Sequence, residues 1–309
     1  MESLGYVEAN NSNIPPFMIR ESDQNSIKSY AYILQKEKVT DQALLDDEQS
    51  QYDGIEATEE EYWQKYYDMP GVQLEWNDGV LEEKPMPDRL SYEMYEWFLM
   101  LIKEYIETFN EGILIGLELG FKLVTKHGAS IRKPDLAFIH KDNPIQMGHL
   151  ERTYRGCFDI CFEFLSDSNL QVIERDTVIK KQIYEGGGVK EYYILDRLGN
   201  ETTFYSLNHN GVYQKIKPCK SGIIRSKVLK NFQFRLEDLY ARPSLIDLVD
   251  DHVYRNYVRL DYQAEKQRAD SKEKEAEVQR KEAILQRKRA DSLEHELFEL
   301  KQRYGMFEK

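Results

Sequence analysis

Two carboxylates of this chain stand in or beside strongly apolar segments, where an ionised side chain needs a partner. Glu163 interrupts the apolar run DICFEFLS, and Asp135 directly follows Pro134 in KPDLAFIH. If the two segments form neighbouring strands, the carboxylates repel each other unless a cation such as Mg²⁺ lies between them. A buried pair with Arg or Lys would satisfy them equally well. These residues therefore leave a metal site and a structural ion pair both open.

Lys180 is the candidate cation of the same group. The segment VIERDTVIKKQIYEGG predicts a helix that stops at residues 186–188, and Asp176 and Tyr184 lie one turn either side of Lys180, on its face. Such a lysine could pair with the carboxylates, or it could hold an attacking water and a reacting phosphate. The neighbouring Lys181 could point inward in its place.

The apolar pattern predicts the elements that must position these side chains. A strand, a helix, strands, a helix and further strands follow one another, which predicts an α/β (α+β) core with a mixed sheet flanked by helices. In chain order the predictions are a short helix in TEEEYWQKYYDMPG capped by Thr58, a hairpin about residues 77–79, a helix over about 90–109, strands in GILIGLELGFKLVT, KPDLAFIH and DICFEFLS, the helix over 172–187, the strand EYYILD and a hairpin about 210–211.

Three parts are expected along the chain. Residues 1–57 are polar and acidic and predict a largely irregular arm, residues 58–242 form the core, and residues 243–309 carry a charged helix that starts at about residue 252. Seven-residue steps from Tyr262 reach four alanines, Leu297 and Tyr304, whereas only Leu293 and Leu300 are apolar in the second series. The helix is therefore either a weak coiled coil, most simply a homodimer, or a single solvated helix.

The net charge of −13 argues against a nucleic-acid partner, but the charge is unevenly distributed. Residues 1–57 alone account for −7, and residues 201–242 hold 8 basic against 3 acidic residues. That basic stretch could contact phosphate or be a solvated hairpin. Three cysteines form no CxxC pair, no apolar run reaches membrane length and the start lacks a secretion-signal pattern, so we expect a cytoplasmic protein without a membrane segment.

The order KPDLAFI, ICFEFLSDS and RDTVIKKQIYEGGGVKEYYILD resembles the Uma-type (DUF820-like) restriction endonuclease family, a branch of the PD-(D/E)XK nuclease superfamily. ATEEEYWQKY and LEWNDGVLEEKPMP resemble its opening helix and first hairpin, and GIIRSKVLKNFQFRLEDL resembles its closing strands. The resemblance covers roughly residues 57–242. The EYYILD strand after a Lys-x-x-x-Tyr helix makes it more specific than the Pro-Asp dipeptide alone.

The resemblance implies roles for four residues. Asp135 and Glu163 match the metal-binding carboxylates, Lys180 matches the family's lysine, and Glu75 matches a Glu that often joins the metal site. The superfamily's usual Glu-x-Lys is broken here, because Leu165 follows Glu163 by two residues, and the resemblance implies a lysine that has moved to the helix. A second departure is Ser91, where family members often show His.

The function implied is a Mg²⁺-dependent endonuclease, with Mn²⁺ as a possible substitute, acting on DNA that we expect to be duplex. The alternative is a nuclease fold without turnover that binds or assembles through its C-terminal helix. An RNA nuclease would use the same site. We expect Asp135, Glu163 and Lys180 to converge within a few Å on one edge of the sheet.

Overall fold

The computed structural model describes residues 50–116, 119–165 and 170–304. The predicted irregular arm lies outside the described residues up to residue 49. The helices are α1 Glu59–Glu61, which continues as a π-helical turn over Tyr62–Tyr66, α2 Arg89–Phe109, α3 Leu170–Glu174, α4 Lys180–Gly187, α5 Asp238–Ala241 and α6 Leu260–Arg303. The strands are β1 Leu74–Asn77, β2 Val80–Glu83, β3 Gly112–Gly116, β4 Gly120–Thr125, β5 Gly128–Arg132, β6 Leu136–His140, β7 Thr153–Tyr154, β8 Ile160–Leu165, β9 Glu191–Asp196, β10 Thr203–Leu207, β11 Tyr213–Lys215, β12 Ile223–Arg225 and β13 Gln233–Arg235.

The strands form two larger sheets and one small one. The six-stranded sheet has the order β11-β10-β9-β8-β6-β3, and the five-stranded sheet has the order β2-β1-β5-β4-β7. Strands β8 and β9 run parallel, as do β4 and β7, whereas the other paired strands are antiparallel. The predicted α+β core with a mixed sheet flanked by helices is therefore confirmed, as is the long C-terminal helix.

The central strand β8 is apolar on both faces because each face is covered. Ile160, Phe162 and Phe164 belong to the core that includes the buried face of α2. Cys161 and Leu165 belong to a second core together with residues of α4 and β4. Side chains alternate along a strand, so Glu163 shares the face of Cys161 and Leu165 and points toward α4.

The link between the two larger sheets carries Asp135. Strand β5 ends at Arg132 and pairs with β1 in one sheet, whereas β6 begins at Leu136 and pairs with β8 in the other. Asp135 therefore lies one residue before its strand, not on it, and its neighbourhood is the junction of the two sheets. The expectation of a site at one edge of a single sheet is corrected accordingly.

The C-terminal helix starts later than predicted, at Leu260 and not at about residue 252. The reason is burial, because Val253, Tyr254, Tyr257 and Val258 pack into the core that contains α2. Arg259 has a φ of 49°, a left-handed conformation that separates this packed segment from the helix.

Helix α6 has 44 residues and is about 66 Å long at ~1.5 Å per residue. None of its described residues is buried. The coiled coil, and the division of the chain at residues 57 and 242, stay predictions.

Candidate active site

Asp135 and Glu163 face one cation. The ammonium nitrogen Nζ of Lys84 lies 2.6 Å from Asp135 Oδ1 and 3.5 Å from Glu163 Oε2. The other oxygen of Asp135, Oδ2, accepts a hydrogen bond from the Phe164 N–H at 2.7 Å, which ties the inter-sheet link to β8. The two carboxylates that sequence reasoning singled out are thus neighbours that contact the same ammonium.

Lys180 lies in the same cluster. Its Nζ is 3.1 Å from Glu163 Oε2, 3.3 Å from Glu75 Oε2 and 2.8 Å from Asp176 Oδ1, and its side chain is only 2% exposed. The alternative lysine, Lys181, points elsewhere, because its Nζ lies 5.3 Å from the centroid of the Tyr205 ring. The structure brings together all four predicted site residues, with Lys180 as the inward-facing lysine.

The helical segment that carries Lys180 contacts Glu163 through two side chains, Lys180 and Tyr184. A π-helical turn over Arg175–Ile179 joins α3 to α4, and such turns widen a helix by one residue. Tyr184, one turn after Lys180, donates from its hydroxyl to Glu163 Oε1 at 2.9 Å. The predicted shared face of Asp176, Lys180 and Tyr184 is therefore the face that covers Glu163.

Glu75 reaches the cluster from the first hairpin and is fully buried. Its Oε1 accepts from the Lys133 N–H at 2.6 Å, and its Oε2 lies 3.2 Å from an Nη1 of Arg132. Arg132, also fully buried, pairs in addition with Glu82 of the neighbouring strand β2. Glu75 is thus connected to Glu163 through Lys180, and the same oxygen of Glu75 also pairs with Arg132.

Burial and charge act against each other in the pKa values of the cluster. Burial favours the neutral form of Glu75, but Lys180 and Arg132 outweigh it and lower its pKa to about 2. For Glu163 burial prevails over Lys180 and Lys84, so that the pKa of this carboxyl rises to about 7. Burial also opposes the charged forms of Lys84 and Lys180, but the surrounding carboxylates raise the pKa of both lysines.

Ion pairs extend the cluster into a larger network. Among the described residues, ion pairs join six acidic and four basic side chains. The network consists of Asp53, Glu75, Glu82, Asp135, Glu163 and Asp176 with Lys84, Arg132, Arg175 and Lys180.

The oxygens of Asp135 and Glu163 suit Mg²⁺ chemically, because this ion prefers hard oxygen ligands and often uses only one or two carboxylates. Both face the point taken by the Lys84 ammonium. No group of three or more His, Cys, Asp or Glu among the described residues is arranged to hold a metal ion. In this cluster the Lys84 ammonium lies between Asp135 and Glu163, so these two carboxylates already contact a monovalent cation.

Sequence reasoning missed Lys84 and Arg132. Each has a signal in the sequence, since Arg132 ends the apolar strand segment of β5 and Lys84 follows the hairpin strand β2. Neither signal shows which residue is the partner, because Lys84 and Asp135, for example, are separated by 51 positions.

Ser91 stands where family members often show His. It is buried and its hydroxyl donates to the Leu165 carbonyl at 3.0 Å, a structural contact between α2 and β8.

An α+β core that gathers two carboxylates and a lysine in one cluster has the arrangement that the nuclease hypothesis requires. The family model Uma2, described as "Putative restriction endonuclease", matches residues 60–237, more than half of the chain. The chain belongs to this family of nucleases, and the predicted family is confirmed.

One solved structure is titled as a "putative nuclease belonging to DUF820 from Anabaena variabilis ATCC 29413". It is 14% identical to this chain, with a TM-score of 0.42, and the match covers 55% of this chain and 90% of the other. No curated protein matches this chain.

None of the described helices is long and apolar enough to cross a membrane. The cytoplasmic location stays a prediction.

Proposed function

We propose that this chain is a Mg²⁺-dependent endonuclease that hydrolyses phosphodiester bonds of duplex DNA, with Mn²⁺ able to replace Mg²⁺. The observation that carries the proposal is the convergence of Asp135 and Glu163 on one cation, beside buried Lys180. Membership of a restriction endonuclease family supports the nuclease class.

Asp135 and Glu163 would hold the metal. When bound, Mg²⁺ neutralises phosphate charge and lowers the pKa of a coordinated water. Asp135 is the most accessible of the two carboxylates and Lys180, with 27% of its side chain exposed against 1% for Glu163 and 2% for Lys180. The phosphate would therefore approach from the side of Asp135.

Lys180 would orient the attacking water or stabilise the charge that develops on the phosphate. Its Nζ lies 3.1 Å from Glu163 Oε2, so a water held beside this carboxylate oxygen falls within its reach. Glu75 would act as the third carboxylate. Its contact with Lys180 at 3.3 Å also restrains the lysine.

Exposed basic residues beyond the site could contact the phosphate backbone. They lie on and around β11 and β12, in the stretch that the sequence marks as basic, and they are Lys215, Lys217, Lys220, Arg225, Lys227 and Lys230. Exposed cations of this kind supply the sequence-independent part of DNA affinity.

Pairing through α6 would suit cleavage of both strands. Leu293, Leu297, Leu300 and Tyr304 are all exposed near the end of this helix, so a second copy of the helix could cover them. We therefore propose a homodimer whose tightest contact lies in this last segment.

Cleavage of supercoiled plasmid DNA tests the proposal. We expect nicked or linear product with Mg²⁺ or Mn²⁺ and none with EDTA. Asp135→Asn and Glu163→Gln, which keep the side-chain shape, should each lower the rate at least about 100-fold, the scale of losing one charge-stabilising group. The matched control is Asp142→Asn, since this aspartate follows β6 with 79% of its side chain exposed and should retain the rate.

A second function is favoured by the Lys84 contact. An ammonium between Asp135 and Glu163 can serve as a permanent structural ion pair, and the chain would then bind or assemble without turnover. This function predicts no cleavage of plasmid or single-stranded RNA with either metal. It also predicts equal behaviour of the wild type and Glu163→Gln in such assays.

A further inference from the structure

Lys84 is built into the cluster and is not a loosely placed surface lysine. Its backbone N–H donates to the Gln73 carbonyl at 2.8 Å, which fixes the residue at the end of the first hairpin. Its ammonium donates to the Lys133 carbonyl at 2.6 Å in addition to its contact with Asp135 at the same distance. With 10% of its side chain exposed, it lies nearer to solvent than Lys180.

The contacts of Lys84 conflict with metal binding at the same oxygens. A divalent cation bound at about 2.0–2.6 Å from Asp135 and Glu163 would lie within contact distance of an ammonium that already touches both. Two positive charges so close repel strongly, even with the screening typical of a protein surface. One of them has to leave.

Lys84 is the lysine that can leave. Lys180 is enclosed by three carboxylates and almost inaccessible, whereas Lys84 has two carboxylates, a carbonyl and an opening to solvent. A lysine side chain is flexible, and its ammonium is strongly hydrated once it reaches water.

We propose that Lys84 is a resident counter-ion that competes with the divalent cation for Asp135 and Glu163, so that metal loading requires displacement of its ammonium. This inference rests on the proposed metal-dependent function. It predicts that the wild type binds metal weakly and that removing the Lys84 charge tightens binding.

Titration calorimetry with MnCl₂ on the full chain measures this directly, without DNA. Lys84→Met should tighten the Mn²⁺ dissociation constant at least about tenfold relative to the wild type, because the competing charge is gone. Lys84→Arg keeps the charge and Lys181→Met removes a lysine that points away, so both should stay within about threefold of the wild type. An unchanged or weaker affinity in Lys84→Met overturns the inference.

The outcomes separate this inference from the proposed function. If the wild type and Lys84→Met bind Mn²⁺ with equal affinity, the metal site stands and only the competition is refuted. If neither binds Mn²⁺ at millimolar concentration, the metal-dependent function is refuted together with the inference.

Lys84→Met could lose its fold, because it leaves Asp135 and buried Glu163 without this cation. Circular dichroism of Lys84→Met and Lys84→Gln with and without Mn²⁺ covers that case. Variants that are unfolded alone and fold when Mn²⁺ is added support the inference, since the metal then replaces the ammonium. Variants that stay unfolded in Mn²⁺ overturn it.

Discussion

Replacing Lys180 by methionine should destabilise the fold far more than the same change at its neighbour Lys181. The Lys180 ammonium contacts Glu75, Glu163 and Asp176 within 3.3 Å, and all of these contacts lie out of reach of water. Removing one partner of a buried ion pair costs about 3–5 kcal/mol, because the remaining charge is left uncompensated. Since a domain is stable by only about 5–15 kcal/mol, this loss is large.

Lys181 provides the matched control. It is half-buried and its described contact is with the face of the Tyr205 ring, an interaction worth about 0.5–1 kcal/mol at an accessible site. Lys181→Met should therefore stay within about 1 kcal/mol of the wild type. Urea denaturation followed by circular dichroism measures both variants under the same conditions.

A second substitution tests the electrostatic origin of the loss. Adding Asp176→Asn to Lys180→Met removes one of the three carboxylates that have lost their cation, so the double variant should be more stable than the single one. The reasoning is refuted if Lys180→Met lies within about 1 kcal/mol of Lys181→Met, or if Asp176→Asn destabilises it further.

Three further predictions concern other parts of the chain. Arg132→Met should lose about 3–5 kcal/mol in urea denaturation, and the double variant with Glu82→Met should recover part of this loss, because one of the two carboxylates that lose Arg132 is then removed as well; no recovery would contradict the pairing. In sedimentation velocity the full chain should associate with rising concentration while a version ending at Arg259, which keeps the packed segment 253–258, stays monomeric; two monomers would make α6 a solvated spacer. Hydrogen bonds from Ser221 lower the pKa of Cys219 to about 6, whereas burial raises the pKa of Cys157 to about 12, so iodoacetamide should label Cys219 first, with a rate that rises as pH passes about 6; mass spectrometry showing Cys157 labelled first would refute this order.

Several elements were predictable because their causes are local. The Asn-Asp-Gly turn between β1 and β2 needs positive φ, and Asp78 and Gly79 have φ values of 46° and 98°. Gly188 ends α4 in the left-handed conformation that the glycine run predicts. The capping box of Thr58 and Glu61 is likewise formed as expected.

The candidate site residues were visible for a different local reason. A charged residue in an apolar strand or on the buried face of a helix is costly, so Glu163 and Lys180 stand out before any coordinates are known. The chemistry they imply stayed open between a cation and an ion pair, because that choice depends on what lies opposite them.

Only the tertiary structure decided which residues lie opposite Glu163 and Lys180. Lys84 comes from a hairpin 51 positions before Asp135 and 79 before Glu163, and no periodicity connects such distant residues. The start of α6 has the same kind of cause, since residues 252–259 are turned away from the helix by the burial of Tyr254 and Tyr257 in the core. Local sequence determines which conformations and charges each segment tolerates, whereas the partners that neutralise a buried charge or cover an apolar face are selected only when distant segments pack together.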